Sequence, residues 1–232
     1  MERITSRSNA LLTHIRRLAS SGGYRRQCGE YLGDSPKLLQ EALAWGTELV
    51  AVVCGDGVEL PPRPASVRAV RVPADVMVSV SPMKTPQGVL FTCRMPGLTL
   101  PEKLTGRRYA VLEGVQDPGN VGTLLRSAAA FGFDGVILSE GCASVYAPKT
   151  LRASMGAAVR IPVIETGAMP QAIALLREKG ITCLAAALYQ SQPLSAAKAG
   201  YPGGVCVVIG SEGQGLTDET IAACTSTVRI PM

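Results

Sequence analysis

The sequence predicts an α/β protein built from two modules, and three observations carry that expectation. Short apolar runs alternate with helical stretches through the second half. A stretch with Pro and Gly and no clear period divides the chain near its middle. The composition is 47% hydrophobic and 18% charged over 232 residues, which supplies enough apolar side chains for folded cores and excludes a disordered chain.

In the first half, Leu11, Leu12, Ile15, Leu18 and Ala19 follow helical spacing, with Arg7, His14, Arg16 and Arg17 largely off the apolar stripe. Ser35-Pro36 reads as a helix start, Ser as the cap and Pro in the first turn, with Leu38, Leu39, Ala42 and Leu43 on one face and Gly46 at the end. Leu49–Cys54 and Val89–Cys93 read as strands. Residues 1–95 thus form a small α/β module. The stretch MPGLTLPEKLTG carries two Pro and two Gly, so residues 96–106 are read as a linker.

From residue 107 to 232 the alternation is more regular. Apolar strands are expected at Tyr109–Leu112, Gly135–Leu138, Ile161–Ile164, Ile181–Leu188 and Val205–Ile209. Helices are expected at Val121–Phe131, Ala147–Ala157, Met169–Lys179 and Thr217–Ala223. Near-continuous apolar strands between helices argue for a parallel sheet covered on both faces. Ligands of such sheets bind beyond the carboxyl ends of the strands. The loops after Leu112, Leu188 and Ile209 are therefore the candidates for chemistry.

Several classes are excluded. The seven cysteines are scattered with no CxxC pair, and His14 is the single histidine. A disulfide framework, a zinc site of ordinary His/Cys spacing and a histidine-based triad are not expected, and no metal is called for. Aromatics are only 4%, which argues against a base-stacking platform. No apolar run approaches a bilayer span and the N-terminus lacks a signal-peptide core, so a cytoplasmic protein without a membrane partner is expected. The net charge is +5. Residues 1–106 hold thirteen Lys/Arg against nine Asp/Glu, with six Arg before residue 27. Both a polyanionic partner and an ordinary solvated helix face are open readings of that patch.

After Leu112 the sequence is EGVQDPGNVGTLLRSAAAFGFDGVIL. Asp117–Asn120 reads as a turn, Asn120 can cap the following helix, and Arg126 lies in that helix's first turns beside small residues. After Ile209 comes GSEGQGLTDE, whose Gly210, Gly213 and Gly215 let the backbone approach a ligand closely. It lacks the Lys-Ser/Thr of a P-loop, and Glu212 would repel a phosphate. A cationic or neutral ligand suits it better, and a plain strand-to-helix connection is the other reading.

Taken together, QDPGNVGTLLRSAAAFGFDGVIL, then IGSEGQGL, then the terminal VRIPM resemble the ordered motifs of the SpoU/TrmH family of SPOUT-class RNA ribose 2′-O-methyltransferases. RASMGAAVRIPV (Arg152–Val163) resembles that family's connecting segment. TPQGVL and SPKLLQEAL more loosely resemble its N-terminal substrate-binding domain.

The resemblance implies a ribosomal-protein-like α/β domain in residues 1–95 and a trefoil-knot methyltransferase domain with a mostly parallel sheet in 107–232. It further implies S-adenosyl-L-methionine as cofactor, ribosomal or transfer RNA as substrate, and a homodimer. By the same resemblance Arg126 is placed at the ribose 2′-hydroxyl, with Asn120 and Glu212 holding it and shaping the loop. Ala186, Leu188, Gly210, Ser211, Gly213 and Ile230 would wall the cofactor pocket. Arg16, Arg17, Arg25, Arg26 and Arg152 would grip RNA phosphates. An arginine is almost never deprotonated, so Arg126 is expected to orient the hydroxyl and stabilise the developing alkoxide.

In the family the last motif continues through a Gly, then Ser-Leu-Asn and a final helix, and the expectation is that this knot-closing segment is missing after Met232. A non-catalytic RNA-binding relative and a small-molecule-binding α/β protein are the alternatives.

Overall fold

The computed structural model describes residues 1–188, 190–194 and 200–231. Along the chain the elements are β1 (Glu2–Arg3), α1 (Ala10–Ser20), α2 (Gly22–Cys28), β2 (Glu30–Gly33), α3 (Pro36–Ala44), β3 (Leu49–Gly55), β4 (Arg68–Val72), α4 (Ala74–Val80) and β5 (Val89–Arg94). There follow β6 (Arg108–Leu112), α5 (Pro118–Ala130), β7 (Gly135–Ser139), α6 (Pro148–Ser154), α7 (Ala157–Arg160), β8 (Val163–Thr166) and α8 (Met169–Glu178). The chain closes with β9 (Thr182–Ala186), β10 (Gln192–Pro193), β11 (Val205–Ile209), α9 (Asp218–Ala223) and β12 (Ser226–Arg229). They form two compact units.

The first unit comprises Met1–Pro96 together with Ser144–Arg160. Its mixed sheet has the order β1-β4-β3-β5-β2, with β4 parallel to β1 and β3, and β5 antiparallel to β3 and β2. Asn9 caps α1 by accepting from the Leu11 amide, and α1 buries Leu12, Ile15 and Leu18. These pack with Val53, Val70 and Leu90 of the strands. Ser35 caps α3 and Pro36 opens it, as the sequence predicts. From the separate segment, Tyr146 stacks on the buried Tyr31 with ring centroids 4.6 Å apart.

The helix expected over Ala147–Ala157 is two helices. The chain breaks at Met155 (φ 50°) and Gly156 (φ 90°), where a Cβ on Gly156 would stand 2.9 Å from Glu41 Cγ.

The second unit comprises Gly97–Ala143 and Ile161–Met232. Its seven-stranded sheet has the order β10-β12-β9-β11-β6-β7-β8, and every described pairing is parallel. The chain runs outward from β6 through β7 to β8, then crosses to the other side and returns through β11. The order therefore reverses between β6 and β11. The expected strand Ile181–Leu188 is shorter, ending at Ala186. The terminal VRIPM motif begins inside β12, which pairs with β9. The core joins Val111, Ile137, Cys183, Cys206 and Val208 of the sheet to Ile173 and Leu176 of α8.

The entry into β6 is held by Asp134, whose Oδ2 accepts from the Arg107 and Arg108 amides at 2.7 and 2.9 Å. Gly106 (φ 93°) permits this approach, since a Cβ there would stand 2.4 Å from Asp134 Cβ. The Arg107 amide is the first cause of the lowered Asp134 pKa. A depressed carboxylate adds stability above its unfolded pKa and loses it as pH falls through the folded value. Asp134→Asn should therefore lower the urea midpoint near neutral pH. The gap to wild type should narrow at about pH 3; a gap that stays constant would contradict this role.

Candidate functional site

The site is set by the pairing of β6 with β11. Their register runs from Val205 opposite Arg108 to Ile209 opposite Leu112. The two strands end together, and the Glu113 amide donates to the Ile209 carbonyl at 2.9 Å. The loops after Leu112 and Ile209, 97 residues apart, leave the sheet side by side.

Glu113 ties this edge to the helix beyond it. Its carboxylate accepts from the Thr217 amide (2.9 Å), Thr217 Oγ1 (3.0 Å) and Thr220 Oγ1 (2.5 Å). Sequence reasoning passed over Glu113. The available signal was a Glu immediately after an apolar strand, together with a Thr-x-x-Thr pair at a helix start.

The glycine-rich loop is a closed turn. The Ser211 amide donates to the Gly215 carbonyl at 3.2 Å and the Gly215 amide returns to Ser211 at 2.9 Å. The Gln214 amide donates to Ser211 Oγ. A Cβ on Gly210 would stand 2.2 Å from the Gly215 carbonyl carbon, so the turn closes this tightly only with glycine there. Asp117 caps α5 by accepting from the Asn120 amide, correcting the expectation that Asn120 is the cap. Asn120 instead lies in the first turn, and its Nδ2 donates to Glu212 Oε1. Two residues 92 apart are thereby latched across the two loops.

Two cavities flank the turn. One, of about 800 Å³, is lined by Ala186, Leu188, Gly210, Ser211 and Gly213, with Asp218 and Thr227. Five of the six residues expected to wall a cofactor pocket meet there. Ile230 is 73% exposed and is not among the described residues that line it. The other cavity, of about 730 Å³, opens beyond β6, β7 and β8 and holds the carboxylates of Glu113, Asp117, Glu140, Glu212 and Glu219. Arg126 is exposed on α5 and is not among the described residues lining either cavity.

The arginines named for phosphate contact divide within the first unit. Arg17 is exposed, with its guanidinium 3.8 Å from the Tyr24 ring centre, and Arg26 is exposed. Arg25 is buried at 6% exposure. It donates to the Leu18 carbonyl at 2.7 Å, and burial followed by repulsion from Arg26 lowers its pKa. Arg25 is thus a structural tie between α1 and α2, not a surface cation. Arg16 spends donors on the carbonyls of Ser79 and Arg7. Arg152 pairs with the buried Asp34.

All seven cysteines are free. Burial pushes the Cys93 and Cys224 thiols up to about 12, which leaves them unreactive near neutral pH. Among the described residues, no group of three or more His, Cys, Asp or Glu is placed to hold a metal ion. No described helix is long and apolar enough to cross a membrane.

A parallel sheet with two neighbouring cavities where its strand order reverses is the layout of an α/β enzyme that holds its ligands at the carboxyl edge. The chain belongs to the SpoU rRNA methylase family, whose profile matches residues 107–232. It is 32% identical, over 98% of its length and 85% of the relative's, to an uncharacterised tRNA/rRNA methyltransferase of Synechocystis. It is 30% identical to the 23S rRNA guanosine 2′-O-methyltransferase RlmP of Bacillus subtilis, covering 83% of this chain and 75% of that one. A structure from Porphyromonas gingivalis assigned to the TrmH family superposes with a TM-score of 0.85 at 30% identity, covering 97% of this chain and 89% of that one.

Glu113→Ala should destabilise the second unit by about 2–3 kcal/mol, through loss of bonds to a charged acceptor. Chemical denaturation measures it; a change under about 0.5 kcal/mol, the range of an ordinary surface substitution, would remove Glu113 from the framework.

Proposed function

We propose that the protein transfers the methyl group of S-adenosyl-L-methionine to a ribose 2′-hydroxyl of ribosomal or transfer RNA. The observation that carries this reading is the meeting of Asn120 with Glu212 on the turn between the two cavities. The 800 Å³ cavity lies within the size of small-molecule and cofactor pockets, roughly 300–1,000 Å³. Its residues suit the cofactor. Ala186, Gly210 and Gly213 bring main-chain groups and little bulk, and Asp218 offers an acceptor for a hydroxyl or an ammonium. None of the described residues lining it is basic, which agrees with a ligand that carries a positive sulfonium.

When bound, the cofactor supplies an activated methyl on a good leaving group. The protein's part is to align the hydroxyl and stabilise its oxygen while the O–H proton passes to solvent water. Arg126 is the residue for that work. Its planar fork can donate to the hydroxyl oxygen and to a neighbouring phosphate, and it stays charged while doing so. Asn120, on the first turn of the same helix, fixes that helix to the turn through Glu212. The exposed Arg17 and Arg26 serve as phosphate contacts. The active form is a homodimer acting in the cytoplasm, and the exposed Ile230 is apolar surface for such an assembly to cover.

Methyl transfer from tritium-labelled cofactor to total unmodified RNA tests the reading, with the product nucleoside identified by mass spectrometry. Wild type should yield a 2′-O-methylated nucleoside. Arg126→Ala should lower kcat by about 10²–10³, and Arg126→Lys should recover only a small part if the fork is needed. No transfer by the wild type, or full activity in Arg126→Ala, would overturn it.

A further inference from the structure

The first unit contains a cavity of about 210 Å³ between α3, the turn before β5 and the α6–α7 junction. That volume is below the roughly 300 Å³ at which drug-sized pockets begin, so it suits one ring system and not a whole nucleotide. The Asp34 side chain lines it and is only 2% exposed. Arg152 Nη1 donates to Asp34 Oδ2, leaving Oδ1 as the second acceptor of a carboxylate already charge-compensated.

Lys37 and Gln87, both exposed, bring donors to the same cavity. Met83 and Met155 supply polarisable apolar walls. Met155 is 45% exposed and holds a left-handed backbone at φ 50°. That conformation is the αL cap that ends α6, its amide donating to the Arg152 carbonyl, and it sets the Met155 side chain at the cavity.

We propose that this cavity receives a single unpaired guanine of the RNA. The proposal rests on the reading that the protein acts on RNA. Single-stranded bases are read on their Watson–Crick edges while their faces pack on side chains. Asp34 is an acceptor that needs donors. Guanine alone sets two adjacent N–H donors beside a carbonyl on that edge. Adenine and cytosine put a ring acceptor next to the amino group, and uracil has one N–H between two carbonyls. Asp34 accepts from guanine N1 and N2 through Oδ1 and the remaining lone pair of Oδ2, which also holds Arg152, and Gln87 or Lys37 donates to O6. Arg152, paired with Asp34, is then a positioning residue and not a phosphate grip.

The test measures binding of the full-length protein to fluorescein-labelled single-stranded RNAs UUGUU, UUAUU and UUIUU, where inosine lacks the 2-amino group. Wild type should bind UUGUU about tenfold more tightly than UUAUU, with UUIUU between them. Asp34→Asn should abolish the preference. Because that change strands Arg152, Gln87→Leu serves as a second variant on an exposed side chain and should reduce the preference without altering the fold. Equal binding of the three RNAs, no binding of any, or a preference that survives in folded Asp34→Asn and in Gln87→Leu overturns the proposal. Methyl transfer to RNA without a guanine preference overturns this pocket alone; absence of both overturns the reading beneath it.

Discussion

The parallel pairing of β6 with β11 is the constraint on which the second unit's site depends. Parallel strands end in the same direction, so a five-residue register that sets Leu112 opposite Ile209 also brings the loop after each strand to one edge. Everything distinctive then happens within a few residues of that edge. Glu113 reaches the start of α9, Asn120 reaches Glu212, and the turn from Ser211 to Gly215 separates two cavities. Displacing the register by one residue would turn the Val111 and Val208 side chains out of the core and separate the loops.

The electrostatics arise at the same edge. Five carboxylates surround the cavity beyond β6, β7 and β8, which makes it a poor host for phosphate. Cations lie elsewhere: Arg126 on the exposed side of α5, Arg17 and Arg26 on the first unit. A reaction that moves a methyl group from a sulfonium needs alignment and one proton's removal, and it needs no histidine relay. His14, bonded to Tyr24 and Glu30 within the first unit, agrees with that economy.

Much of the second unit was legible because its strands are apolar runs bounded by turn residues, a pattern that parallel burial imposes. The convergence of Asn120 with Glu212, and of Ala186 and Leu188 with Gly210, Ser211 and Gly213, was accessible through the family motifs and not through local spacing. The misses have physical causes. Arg25 looks like a surface cation, but α2 folds back on α1 and places its guanidinium against the Leu18 carbonyl in α1's last turn, where helical carbonyls lack intrahelical partners. Ile230 lies just past β12 and is not among the described residues that line the cavity, so its expected place at the cofactor stays a proposal. The short β1, β2, β4 and α4 escaped notice for lack of a period. The membership of Ser144–Arg160 in the first unit depends on non-local packing, such as Tyr146 on Tyr31, that no window of sequence displays.

The most direct test of the account is a double-mutant cycle on Asn120→Ala and Glu212→Ala, read as S-adenosyl-L-methionine affinity by calorimetry. If the contact between the two loops builds the cofactor site, each single substitution should weaken binding about as much as the double, a coupling of roughly 1–3 kcal/mol. Strictly additive losses, or binding untouched by either change, would mean that the cofactor site does not depend on the junction of β6 and β11.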